Sequence, residues 1–338
     1  MDFENPQPGF SEEEANRRLT ADNRDAVAML AKADHRMLAR DNRAANAYYN
    51  QVDRLAVAGS LISQDELQRA RNAAQYLSDR FRNHLLSALD GQGMTEANRH
   101  PRFQRSLEIM FGQRQREPEY VQYPQIPQTY FYPGTEYCTF ADTAGHDWSD
   151  ELGAKTEEIR AEALGMLEAG GAFSAYVKKD ETRPQGDVHG LMEDDRWSTF
   201  YLTDKGKELP ERTARCPATW SAMQSGIPLC DVPNRAPSVL YSLLRPGFRI
   251  PPHTGMLNTR FICHLPLVIP DGCAFRVGGD TRPWKLGELF VFDDTVEHEA
   301  WNDSAQDRIV LIFDVWRPEI TEPERAQIRA LFAAVDSY

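Results

Sequence analysis

The hydrophobic period of this chain changes once, from about 3.6 residues to two, and nothing else in the sequence constrains the fold as strongly. Between Ser11 and Gln113, Ala26, Leu30, Ala33 and Met37, and then Ala45, Tyr49, Val52 and Ala56, recur at three- and four-residue steps. Each set makes one apolar stripe on a helix. A third helical segment, Asp65 to Leu89, follows Gly59-Ser60, and a fourth runs from Pro101 to Phe111. From Val239 onward the pattern alternates instead. The segments 239–244, 260–269, 274–277, 288–292 and 308–315 are β-branched and aromatic runs separated by Pro-Gly, Asp-Gly, Gly-Gly and Asn-Asp turns, which are strand and turn signals.

Four helices with short connections predict stacked antiparallel pairs. Their alanines at crossing points, Ala44, Ala45, Ala47, Ala73 and Ala74, resemble a degenerate tetratricopeptide array, although no clean repeat is found; a plain helical bundle is the alternative. The Pro-, Gln- and Tyr-rich stretch from Gln115 to Gly134 cannot continue a helix. It is expected to lie extended across the face of the next domain. After it, Ser149 or Asp150 caps a helix whose stripe is Ile159, Ala163, Leu164 and Leu167 and which stops at Gly170-Gly171. That helix is placed on the outside of a sheet. The expected organisation is therefore α+β: a flexible tail over 1–10, an all-α domain over 11–115, a linker over 116–135, and a jelly-roll domain over 136–338.

A chain of 338 residues is long enough for about two domains and a proper core without disulfides. Its five cysteines lack C-x-x-C spacing, so neither a disulfide framework nor a zinc knuckle is indicated, and a reducing, cytoplasmic location is expected. The N-terminus shows no secretory pattern. No run approaches the length of a membrane span. The formal charge of −13 disfavours a nucleic-acid partner. Residues 1–120 carry 17 basic and 18 acidic side chains and the remainder 21 and 33, so the acidity belongs to the C-terminal part.

Alternation sorts the faces of the strands. Arg260, Ile262 and His264 share one side and Phe261, Cys263 and Leu265 the other; Arg308, Val310 and Ile312 oppose Ile309, Leu311 and Phe313. Basic groups inside apolar strands are costly unless an anion meets them, and a bound ligand would supply one. His253, in Pro252-His253-Thr254-Gly255, and His298, in Glu297-His298-Glu299, fall at the ends of two different strands. Both imidazoles could reach one metal ion. Gly255 stands where a carboxylate ligand would be expected and leaves coordination room. Glu297 and Glu299 flank His298 either as supporting carboxylates or as solvated side chains, and solvation is the simpler reading. Trp197, Phe200 and Tyr201 precede the barrel and either wall a substrate cleft or belong to the core.

A dense set of positions then carries a resemblance: Ser242, Pro246-Gly247, His253-Thr254-Gly255, Asn258, Arg260, His264-Leu265, Gly272-Cys273, Trp284, Phe292-Asp293-Asp294, Glu297-His298-Glu299, Trp301, Arg308 and Asp314-Val315-Trp316. Over roughly residues 197–318 the chain resembles the aspartyl/asparaginyl β-hydroxylase family of iron(II)- and 2-oxoglutarate-dependent oxygenases. The resemblance implies a double-stranded β-helix, with His253 and His298 as iron ligands. It places Arg308 and Ser242 on the distal carboxylate of 2-oxoglutarate and His264 near its other end, and it implies dioxygen as the oxidant. Members of the family lack the usual carboxylate ligand, as this chain does at Gly255.

One departure is visible. Where the animal enzymes have a second arginine two residues before the inward histidine, this chain has Ile262. Arg260 is then the residue expected to meet an acidic substrate, with Trp197 beside it. The expected substrate is a peptide, a protein or an amino acid presenting Asp or Asn. The N-terminal helices are expected either to hold an extended polypeptide or to mediate a homodimer. Two other readings stay open at this point: an iron halogenase, distinguished by chloride dependence, and a non-catalytic binding module, distinguished by failure to chelate 2-oxoglutarate.

Overall fold

A computed structural model describes residues 3–142, 146–179 and 190–338. They form two compact units. One comprises residues 3–93, Lys179 and 334–338; the other comprises 94–178 and 190–333.

The first unit contains α1 (Glu12–Ala21), α2 (Ala26–Leu38), α3 (Asn42–Val57) and α4 (Gln64–Gly91). Helix α1 was not separable from the sequence, because its segment is mostly charged and shows a single buried residue, Ala15. Ser63 caps α4 in a reciprocal box with Glu66, which satisfies two otherwise orphaned amides. Small residues, among them Ala33, Ala44, Ala45, Ala70 and Ala73, pack with Tyr48, Tyr49 and Leu77 in one core. Asp34, fully buried, accepts from Tyr49 and takes both amino groups of Arg69 at 2.8 and 2.9 Å. Residues 3–10 are not a loose tail as expected. Phe3 stacks on Tyr76, and Glu4 bonds Tyr76 and Arg80.

In the second unit the helices are α5 (Pro101–Met110), α6 (Asp147–Ala154), α7 (Thr156–Glu168), α8 (Pro210–Thr213), α9 (Pro217–Met223) and α10 (Glu322–Asp336), whose last residues belong to the first unit. The boundary between units thus falls near residue 93, not 115. Helix α5 groups with the barrel, where the Ser106 hydroxyl meets that of Tyr130 at 2.5 Å. The single helix expected after the linker is two. Ser149 and Asp150 lie inside α6 and cap nothing; the chain breaks at Lys155, and the Thr156 hydroxyl closes back on the Gly153 carbonyl.

The strands are β1 (Ser174–Ala175), β2 (Trp197–Asp204), β3 (Lys207–Glu208), β4 (Val239–Leu244), β5 (Phe248–His253), β6 (Arg260–Val268), β7 (Cys273–Val277), β8 (Asp280–Pro283), β9 (Phe290–Phe292), β10 (His298–Asn302) and β11 (Arg308–Trp316). The larger sheet runs β1-β2-β4-β11-β6-β9, with β3 on β2, and the smaller runs β5-β10-β7-β8. All named pairings are antiparallel. From β4 onward the chain passes between the two sheets in the order of a double-stranded β-helix, so the jelly roll is present.

The faces sort as alternation predicts. Phe261, Cys263, Leu265, Ile309, Leu311 and Phe313 pack with Ile159 and Ala163 of α7 outside the large sheet. Ile262, Val310 and Leu244 pack with Phe275, Trp284 and Phe292 between the sheets. The segment around 126–130 does lie extended along the barrel. Ile126 donates to the Thr295 carbonyl and Gln128 to that of Gly255. Asn258 clasps the segment through Gln125, Tyr132 and Thr135.

Candidate active site

His253 closes β5 and His298 opens β10, and the two are direct cross-strand partners. Their ring centroids lie 4.1 Å apart. Each Nδ1 contacts a backbone carbonyl two residues earlier, Pro251 at 2.8 Å for His253 and Val296 at 3.0 Å for His298. A carbonyl can only accept, so each Nδ1 carries the proton and each neutral ring has its lone pair on Nε2. Burial and the neighbouring His253 hold the His298 pKa well below the usual histidine value, which keeps that ring neutral.

The residue two after His253 corrects the expectation of open room. The Gly255 amide donates to the Asp294 carbonyl at 2.6 Å. A Cβ at Gly255 would lie 2.7 Å from Oδ1 of Asp294 and closer still to Oδ2 and Cγ. The carboxyl group of Asp294, 39 residues away in the chain, occupies the volume that a side chain at 255 would take. Its Oδ1 is buried without a hydrogen-bond partner, and burial raises its pKa to about 7 against the pull of Arg260. Among the described residues no group of three or more His, Cys, Asp or Glu is placed to hold a metal ion.

Arg308 is 1 % exposed and pairs with no carboxylate among the described residues. Burial pushes its pKa down to about 10, its Nε has no partner, and its guanidinium lies 4.9 Å from the centre of the Trp284 ring. Ser242 pairs with Val310, two residues from Arg308 on the same face. His264 pairs with Ile312. Its Nδ1 is buried and unsatisfied, and burial, with Arg308 and His298 nearby, lowers its pKa well below the usual value. Phe275 and Phe292 sit within 6 Å of both His264 and His298. A buried cation without an anion, beside an unpaired imidazole nitrogen and a hydroxyl, fits a carboxylate ligand. The histidine pair fits a divalent metal.

Two residues from the sequence reading are placed differently from one another. Trp197 reaches the site: its ring lies 6.1 Å from that of His253 and stacks on Tyr176 at 4.2 Å. Phe200 is core on the opposite face. Arg260, assigned to substrate because a buried cation needs an anion, already has two. It bonds Asp314, and Asp294 is 3.4 Å away. The premise was sound, but the anions come from the protein. Sequence reasoning did not single out Tyr176 or Arg276, and Asp294 and Asp314, although among the positions that carry the resemblance, were given no role.

The fold is a double-stranded β-helix that brings two histidines side by side and buries an arginine that pairs with no carboxylate among the described residues. Residues 153–318, just under half of the chain, match the model of the family described as aspartyl/asparaginyl beta-hydroxylase. The chain is 34% identical over 175 residues to the aspartyl/asparaginyl beta-hydroxylases of Mus musculus and Homo sapiens, covering 51% of this chain and 22% and 21% of those proteins. It is 32% identical over 180 residues to the ornithine lipid ester-linked acyl 2-hydroxylase of Rhizobium tropici, covering 52% of this chain and 60% of that one. The match thus spans about a fifth of the animal enzymes and three fifths of the bacterial one. Among solved structures, a predicted oxalate decarboxylase from Thermotoga maritima is 17% identical over 36% of this chain and 81% of that chain, with a TM-score of 0.24.

Proposed function

We propose that the barrel is an iron(II)- and 2-oxoglutarate-dependent dioxygenase that hydroxylates the β-carbon of Asp or Asn in a peptide, protein or amino-acid substrate. The observation that carries the reading is Arg308, a buried guanidinium without a counter-ion on the same barrel as the paired histidines. His253 and His298 would hold the metal through Nε2. Arg308 and Ser242 would take the far carboxylate of 2-oxoglutarate, and His264 would face its other end. The bound metal and cosubstrate supply the oxidising chemistry, in which dioxygen, 2-oxoglutarate and a C–H bond become an alcohol, succinate and carbon dioxide. The protein's own share is orientation and exclusion of water, for which Phe275, Phe292 and Trp284 line the interior.

A second substrate class is favoured by one observation. With Arg260 tied to Asp314 and Asp294, and Ile262 on the inner face, the described residues of the barrel offer no second uncompensated arginine for a substrate carboxylate. An apolar acyl chain suits such a surface, and the Rhizobium tropici relative is named for acyl hydroxylation. A cytoplasmic setting is part of the proposal and is supported by five cysteines, all free. No helix among the described residues is long and apolar enough to cross a membrane.

Anaerobic addition of iron(II) and 2-oxoglutarate should give the charge-transfer band of a chelated cosubstrate, and the His253→Ala variant should lack it. A flat spectrum from the unaltered protein would sink the oxygenase reading. Mass spectrometry for one added oxygen atom, run on an Asp/Asn peptide pool and on ester-linked acyl lipids, separates the two substrate classes; chlorinated product would point to halogenation.

A further inference from the structure

The outer face of the small sheet carries a second device around the same centre. Arg276 of β7 lies opposite Glu299, and its neighbour Val277 lies opposite His298. All three kinds of guanidinium nitrogen are engaged: Nε donates to Glu299, Nη2 to Glu297 at 2.9 Å, and Nη1 to the Gly278 carbonyl at 2.7 Å. The Gly278 amide in turn donates to the Glu297 carbonyl at 2.8 Å. One arginine therefore grips the residue before His298, the residue after it, and the turn beyond.

The grip falls where the strand needs it. On the β5 side the ladder slips between His298 and Ala300, and such an irregularity bends a strand and re-aims its side chains. On the β7 side the register runs unbroken from His298–Val277 to Asn302–Cys273. Beyond His298 the ladder is thus continuous on the β7 side and shifted on the β5 side. We propose that Arg276 is a positioning residue that clamps β10 through Glu297 and Glu299, so that the His298 imidazole meets that of His253 with the separation a shared metal requires. The inference rests on the metal-centre reading given above. It assigns Glu297 and Glu299 a clamping role in place of simple solvation.

An ordinary surface ion pair contributes little, and two nearby carboxylates could also favour a metal by charge alone. The alternatives differ in sign. Titration of the full chain with manganese(II), read by calorimetry without cosubstrate, should show affinity falling about tenfold in Arg276→Gln, the lower end for partners that orient a ligand. If the carboxylates acted only by charge, removing the arginine would tighten binding. If the arginine were merely structural, the melting temperature would drop with affinity unchanged. Either result overturns the clamp. Arg276→Lys keeps the charge but loses the fork and should bind metal more weakly as well. Should Arg276→Gln not fold, the lysine variant decides alone, and unchanged affinity there overturns the proposal. Absence of binding by the unaltered protein would overturn the metal-centre reading itself, and the clamp with it.

Discussion

Replacing Arg308 with Met should stabilise the ligand-free protein while abolishing the proposed binding of 2-oxoglutarate. Burial holds the guanidinium at about 10, well below its ordinary value, which corresponds to roughly 3 kcal/mol of unfavourable desolvation at 1.36 kcal/mol per pKa unit. The sign follows from linkage. A cation whose folded pKa is depressed destabilises the fold at every pH below that folded value, and the penalty is relieved only as pH rises above about 10 toward the ordinary guanidinium value. At neutral pH it is present in full. Against it stands the stacking on Trp284 at 4.9 Å, which for a desolvated pair is worth roughly 1 to 2 kcal/mol. Methionine has a similar length and no charge. The net gain is therefore on the order of 1 to 2 kcal/mol, or roughly 3 to 6 °C in the melting temperature of a unit this size.

The assay is selective because all six tryptophans lie between Trp148 and Trp316, so their fluorescence reports the barrel unit and not the helices. Without ligands, Arg308→Met should melt above the unaltered protein, by an amount constant between pH 6 and 9. With manganese(II) and 2-oxoglutarate at a hundred times its dissociation constant, the unaltered protein should gain about 2.7 kcal/mol from the cosubstrate and the variant none of it, so that the order of stabilities inverts. A variant that melts well below the unaltered protein without ligand, or one that keeps the cosubstrate increment, would falsify the view of Arg308 as an anion receptor held at a cost to the empty fold.

Three further outcomes can be checked. Gly255→Ala forces a Cβ into the Asp294 carboxyl group and should cost about 1 to 3 kcal/mol by overpacking; in denaturant titrations the pair Gly255→Ala with Asp294→Gly should recover part of that loss, and additive losses would mean the two do not compete for one volume. In the helical unit, Asp34→Ala strands the Tyr49 hydroxyl and the Arg69 guanidinium and should destabilise by about 3 kcal/mol in urea unfolding followed by far-ultraviolet circular dichroism; a change under 1 kcal/mol would show the network to be dispensable. Ile262→Arg places an uncompensated cation on the inner face, so it should lower stability yet raise turnover of Asp-containing peptides relative to acyl lipids, and an unmoved ratio would place the substrate away from β6.

What could be read in advance, and what could not, divides by the sequence distance over which the determining contact acts. Face alternation is local, since residues i and i+2 share a side, and it put Arg308, His264 and Ile262 on the inner face correctly. The same rule failed for Arg260 in the next step of inference. Its charge is met by Asp314 and Asp294, 54 and 34 residues away, and no local pattern announces that three strand and loop segments converge there. The volume beside Gly255 was misjudged for the same reason, because the group that fills it arrives from a loop before β10. The two histidines were expected at strand ends, but the bounds of β5 and β10 were not drawn, because Pro251-Pro252 interrupts the first run and the second is only five residues long. Direct cross-strand pairing is enough to bring the two imidazoles to 4.1 Å, and the ladder shifts only beyond them. Holding β10 in that pairing from outside the site is the role proposed for Arg276.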